Sequence, residues 1–232
     1  MHLHVAINFN KYHPIKLKKM KVAKPAVPAK KTGKQMSATK SKVASSKTED
    51  MEDQDKEQDD AENQDDEKSE HRENLEKIFE DTLKDMYWAE KHLSKALPKM
   101  AKSANDKGLK DAYMMHAEQT KGHIERIEKA FASINKKASP KKCEAMEGLV
   151  KEGEEAIEEY DKSSGRDAAL IVASQKVEHY EISGYGSLHS FATLLGYTEC
   201  VDLFAQTLQE EKDTDVKLSD LSDSINQQAL AA

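Results

Sequence analysis

The sequence predicts an all-α protein, a four-helix bundle of two antiparallel hairpins with an extra helix in the crossover. Three observations carry this. Apolar residues recur every three or four positions in long segments from Leu75 onward, the spacing of one helix face. No segment of comparable strength alternates with a period of two. The composition, 34% charged and only 6% aromatic, suits a surface-rich helical protein better than a sandwich of sheets.

The first helix spans roughly 72–101, where Leu75, Phe79, Leu83, Met86, Leu93, Leu97 and Met100 form the stripe; Pro98 should kink or shorten its last turn. "SANDKG" is a connector. The second helix, roughly 106–135, carries Leu109, Tyr113, His116, Thr120, His123, Ile127, Phe131 and Ile134. "KKASP" ends it, and a third helix covers roughly 141–161 until "DKSSGR" breaks the chain. The fourth, roughly 165–195, follows Leu170, Ser174, Val177, Glu181, Leu188, Ala192 and Leu195. After the tight turn at "GY", the fifth, roughly 198–226, follows Val201, Phe204, Leu208, Glu211, Asp215, Leu218 and Ile225, and residues 227–232 make a flexible C-terminus. Short loops join helices one to two and four to five, so each pair should be antiparallel. A long connection with its own helix between the pairs is the ferritin-like form of the bundle.

The helical domain therefore occupies 75–226, and residues 1–74 read as a disordered tail with too little apolar surface to offset chain ordering. Its charge is split. Residues 1–48 hold 12 Lys/Arg and no acid, whereas 49–74 hold 14 acids against 3 Lys/Arg. A Lys-rich segment can tether nucleic acid, but the adjacent acidic run competes for those lysines and Phe9 and Tyr12 are the tail's only stacking aromatics, so a solubilising tail is the better reading. Met20 and Met36 are alternative starts. The opening "MHLHVAINFNKYHP" lacks the order of a secretory signal, an organelle leader would favour Arg over Lys, and the longest apolar run, "AALIVA", is far below a membrane span. Cys143 and Cys200 are too few for a disulfide framework and place the chain in a reducing cytoplasm. Neither has a base-and-acid constellation near it, and no phosphate-cradling glycine loop occurs.

The informative anomaly is "QKVEHYEISGYGSLH", Gln175 to His189, which puts Glu178 and Glu181 on a stripe that should be apolar. They lie about 4.5 Å apart along the axis and can face one point. The other bundle helices repeat the anomaly: Glu90 in the first, His116 and His123 in the second with Glu118 to one side, Glu211 and Asp215 in the fifth. A single acid on such a stripe is usually a rim residue. Acids or histidines on all four helices are harder to dismiss, because each buried carboxylate costs several kcal/mol against a net stability of about 5–15 kcal/mol. The stripes offer no Lys or Arg. Two divalent ions would set four positive charges against the five carboxylates Glu90, Glu178, Glu181, Glu211 and Asp215. Oxygen-rich ligation with some imidazole suits iron or manganese better than zinc or copper. The predicted ligands are Glu90, Glu178, Glu181 and Glu211, with His116, Glu118 and Asp215. Gly184 and Gly186 inside the fourth helix fit a close helix approach or a local kink.

The segments "DMYWAEKHLSKALPKMAK", "HAEQTKGHIERIE", "KCEAMEGLVKEG", "DAALIVASQKVEHYEISGYGSL" and "LQEEKDTDVKL" occur in order, and through them residues 75–226 resemble the bacterial YciE/YciF family of ferritin-like, stress-associated proteins. The resemblance implies a ferritin-like bundle, a di-metal centre and a homodimer, and says little about the reaction; a ferroxidase- or peroxidase-like oxidoreductase acting on oxygen or peroxide is one expectation. The chain departs from the usual pattern of Glu on two helices and Glu-x-x-His on the other two. Its second helix offers His116, Glu118, Gln119 and His123, and its fourth Glu-x-x-Glu, with His179 pointing away from Glu178. Alternatives to a metal protein in oxidative or metal-stress protection are a metal-free helical scaffold and a DNA-tethered protein.

Overall fold

The computed structural model describes residues 52–231, with side chains from Lys68 onward. The basic segment 1–48, and with it any nucleic-acid tether, lies outside the described residues. Five helices make up the structure: α1 Glu52–Ser103, α2 Lys107–Ser133, α3 Glu144–Glu159, α4 Arg166–Leu195 and α5 Thr198–Ala231.

Two helices are longer than the sequence predicts. α1 starts at Glu52 rather than near 72, so it runs through most of the acidic segment 49–74, which composition alone assigns to a disordered tail. That segment has few apolar residues, but it has no Gly or Pro, and its seven Glu and three Gln lose little rotamer freedom in a helix; acids at a helix N-terminus also complement its dipole. α5 likewise continues past 226 to Ala231. Pro98 does not end α1, which carries on to Ser103.

The helix ends follow local chemistry. Asp106 caps α2 by accepting from the Leu109 amide at 2.9 Å. At its other end Asn135 takes a left-handed φ of 56°, and Lys136 N donates to Phe131 O at 2.8 Å. The Cys143 thiol caps α3. Gly196, with φ 77°, closes α4, and the Tyr197 amide reaches back to Ala192 O.

Cross-helix pairs fix the hairpins. Gln175 meets Ser219 and His179 meets Asp215, so residue numbers rise on α4 as they fall on α5. Tyr87 with Glu128 and Glu90 with His123 are the corresponding pairs between α1 and α2. α1 packs on α4 and α2 on α5, while α3 lies against α1 and α4. Asp167, buried at the start of α4, accepts the Asn105 amide at 2.8 Å and the Asp106 amide at 2.6 Å, which ties the α1–α2 connector to the second hairpin. Gly184 is a close-approach position: a Cβ there would stand 2.4 Å from Met86 Sδ, whereas a Cβ on Gly186 would meet nothing within 4 Å.

The apolar core comes in two parts. One gathers Leu93, Leu97, Leu109, Tyr113, Met146, Leu170 and Leu218. The other gathers Phe79, Leu83, Met86, Ile127, Phe131, Leu188 and Phe204. The inward acids and histidines lie on stripe positions between them. Among the described residues no helix is long and apolar enough to cross a membrane.

Candidate metal centre

Each long helix contributes to one buried polar cluster: Glu90 from α1, His116 and His123 from α2, Glu178 and Glu181 from α4, Glu211 from α5. None is more than 2% exposed. Spacings of three on α4 and seven on α2 keep each pair on one helix face, and the antiparallel packing turns the four faces together.

The side chains form two groups. His116, Glu178, Glu181 and Glu211 each offer one ligand atom, all within 4.8 Å of one another, as do Glu90, His123 and Glu211; Glu211 belongs to both. His116 Nε2 stands 3.6 Å from Glu178 Oε1, 3.8 Å from Glu181 Oε2 and 3.9 Å from Glu211 Oε2. These separations exceed a hydrogen bond and match what two ligands keep when each lies roughly 2.0–2.2 Å from one ion. His123 Nδ1 is 3.3 Å from Glu90 Oε1 and 2.9 Å from Glu211 Oε1.

Most of these atoms make no hydrogen bond. Glu90 Oε2, His116 Nε2, His123 Nδ1, Glu178 Oε2, both Glu181 oxygens and both Glu211 oxygens are buried without a hydrogen bond. A fold normally satisfies such groups, and each orphan costs about 1–3 kcal/mol or more. Burial pushes the Glu178 and Glu181 carboxyls well above their usual range, reinforced by Glu211. Burial also raises Glu90, against the pull of His123. Burial lowers His116, favouring neutral imidazole. Burial works the same way on His123, but Glu90 and Glu211 overcome it and hold the ring up at about 10. A cation among these atoms would take the place of the protons this crowding demands. Neutral imidazole and carboxylate oxygens are the donors such an ion needs, so the residues fit a hard or borderline divalent metal.

The surrounding contacts orient the histidines. Thr214 donates to Glu210 O at 3.0 Å, which leaves its oxygen to accept from His116 Nδ1 at 3.4 Å and turns the Nε2 lone pair into the cluster. His123 Nε2 is 2.9 Å from Glu210 Oε2, the oxygen that also receives the Arg126 guanidinium. Arg126 Nε donates to Thr207 at 2.8 Å, and Gln206 donates to the other Glu210 oxygen at 2.9 Å. Although burial opposes it, Gln206, Arg126 and His123 keep the Glu210 carboxyl below its usual range. Tyr185, fully buried, donates to Glu90 Oε1.

Five of the seven predicted ligands, Glu90, His116, Glu178, Glu181 and Glu211, meet in this cluster. Two do not. The Glu118 side chain is 75% exposed and pairs with Lys121 at 2.5 Å; two residues from His116 it points about 200° around the helix. Asp215 shares the stripe of Glu211 but lies about 6 Å further along the axis. It sits at the rim, 3.3 Å from His179 and 3.4 Å from Gln175 Nε2. His123, on the stripe but not among the predicted ligands, takes a place in the second group. Its spacing of seven from His116 is the signal that marks it.

A family profile described as "Domain of unknown function (DUF892)" matches residues 74–231. Protein YciF of Escherichia coli (strain K12) is 47% identical over 157 residues, which cover 67% of this chain and 95% of that protein. The crystal structure of the E. coli stress protein YciF superimposes with a TM-score of 0.64 at 47% identity, covering 66% of this chain and 97% of that one. The structure of YcfI from Rhodopseudomonas palustris gives a TM-score of 0.60 at 39% identity, over 62% and 92% of the two chains. A Xanthomonas campestris protein at 21% identity and TM-score 0.51 shares the fold, over 69% and 95% of the two chains.

Proposed function

The chain belongs to the DUF892 family, and from that premise we propose that it is a ferritin-like metal-binding protein holding one or two iron or manganese ions between its four long helices, in protection against oxidative or metal stress. The observation that carries this reading is the convergence of eight buried ligand atoms without a hydrogen bond from four helices. His116, Glu178, Glu181 and Glu211 would hold one ion, and Glu90, His123 and Glu211 a second. When bound, such ions supply redox chemistry toward oxygen or peroxide. The chain's own part is to present His116 as a neutral imidazole and His123 as one whose proton a bound ion would displace, to keep both histidines oriented through Thr214 and Glu210, and to enclose the site between two apolar zones. The stress role is supported by the description of the E. coli relative as a stress protein. The reading extends to a cytoplasmic homodimer with no membrane or nucleic-acid partner.

Elemental analysis tests it. Purified full-length protein, loaded anaerobically with Fe(II) or Mn(II) and desalted, should retain metal, while Glu181→Ala and Glu90→Ala should retain less. Wild type without metal would leave a metal-free helical scaffold as the function. Equal metal in all three proteins would show that the ions sit elsewhere.

A further inference from the structure

The core hydroxyls around the cluster are almost all committed. Tyr113 and Ser174 bond each other at 2.8 Å, and Ser174 also donates to Leu170 O. Tyr185 donates to Glu90. Thr207 and Thr214 donate to the carbonyls four residues back, Leu203 O and Glu210 O, the usual outlet for a threonine inside a helix. Thr82 and Thr193 do the same at 2.8 Å each. Thr120 does not. It is 0% exposed, and among the described residues its Oγ1 is the only buried hydroxyl without a hydrogen-bond partner.

Its place on α2 gives this meaning. Thr120 is four residues after His116 and three before His123, within about 40° and 60° of them around the helix. Two turns and one turn before it on this face, Tyr113 and His116 meet α4 at Ser174 and Glu178. One turn after it, His123 meets Glu90 of α1 and the Tyr185 ring of α4, centroids 6.1 Å apart. Thr120 therefore lies between the two histidines along the inward face of α2, buried with its hydroxyl unpartnered. The opposite side of the cluster is closed by α5, where Glu211, Glu210 and Thr214 already hold the histidines.

We propose that Thr120 is the protein's hydrogen-bond donor to a small anionic ligand, of the class of hydroxide, peroxide or azide, that enters the metal centre between His116 and His123. This rests on the metal-binding reading. The ligand groups contain only acceptors and imidazole nitrogens aimed at the ions, and the neighbouring Tyr185 hydroxyl is already given to Glu90, so an incoming anion would otherwise find no uncommitted neutral donor there. A hydroxyl suits this role because it adds no charge to a site that already holds four carboxylates. A valine-like packing role is the competing account, and it predicts that the methyl group matters and the oxygen does not.

The test uses full-length, iron-loaded, air-oxidised protein and azide as the probe, followed by charge-transfer absorption, with metal content and melting temperature measured for every variant. Thr120→Val should retain iron but bind azide about tenfold more weakly or worse, the size of one hydrogen bond to a charged acceptor. Thr120→Ser should bind azide nearly as wild type does. Thr120→Ala gives a second hydroxyl-free variant should valine displace the metal. Equal azide affinity in iron-replete wild type, Val and Ser proteins would overturn the proposal, and so would equal losses in Ser and Val. Iron-replete wild type that binds no azide overturns it too. Wild type that takes up no iron instead removes the metal-binding reading, and this proposal with it.

Discussion

Glu210 Oε2 lies 2.9 Å from His123 Nε2 and takes the Arg126 guanidinium on the same oxygen, so the ring that faces the cluster through Nδ1 is anchored through its far nitrogen. Glu210 itself offers nothing to either ligand group. Its replacement therefore tests orientation apart from ligation. Glu210→Ala should weaken metal binding about 10- to 100-fold, the usual cost of losing such an outer contact. The loss should fall on the ion held by Glu90 and His123. Competition titration with a chelator would resolve one weakened and one unchanged ion; a uniform loss would argue against separate anchoring.

Glu118 and Asp215 supply the opposite expectation. Both are outside the cluster, one paired with Lys121 and the other with His179. Glu118→Ala and Asp215→Ala should leave metal content at the wild-type level, and the first should change stability by no more than about 0.5 kcal/mol, as surface substitutions do. Metal loss in either, measured by elemental analysis, would restore it to the ligand set.

The metal-free protein should lose stability as pH rises from 7 to 9. Burial and Glu211 hold the Glu178 and Glu181 carboxyls high, and Glu90 and Glu211 hold His123 at about 10 in spite of burial. All three bind protons more tightly folded than unfolded, so their contribution is full below the unfolded values and lost as pH rises through the folded ones. Bound manganese would already have displaced those protons. Thermal melts with chelator should fall steeply across this range, and melts with manganese should be flatter. Parallel curves would contradict it.

Gly184 and Gly186 should respond to alanine with opposite signs. At Gly184 the new methyl would overlap Met86, itself 1% exposed, and overpacking costs typically 1–3 kcal/mol. At Gly186 it enters open space and gains helix propensity, about 0.5–1 kcal/mol in favour of the fold. Denaturant unfolding of the two variants would show it.

Much of this architecture is legible from spacing alone. The five helices, their connectors and the inward stripe follow from periodicity, because the stripe repeats on every long helix. The long reach of α1 is not legible in that way: apolar content measures what a segment can bury, not whether its backbone coils, and Glu52 to Leu75 has little to bury. Glu118 stands among the expected ligands because it is close in sequence to His116; helix geometry removes it, and the repeat of seven from His116 brings His123 into the second ligand group. The anchoring set of Glu210, Arg126, Thr207 and Gln206 has no signature in the sequence, since charged residues on α2 and α5 read as solvent-facing until the two helices are docked.

Glu211 belongs to both ligand groups. A carboxylate held in common cannot answer to one neighbour without the other registering it. Two ions placed here would not fill independent compartments: whatever factor the first occupancy imposes on the affinity for the second, the second must impose on the first. A single side chain on α5 thus makes the centre reciprocal, and replacing Glu211 would uncouple the two positions as well as weaken each.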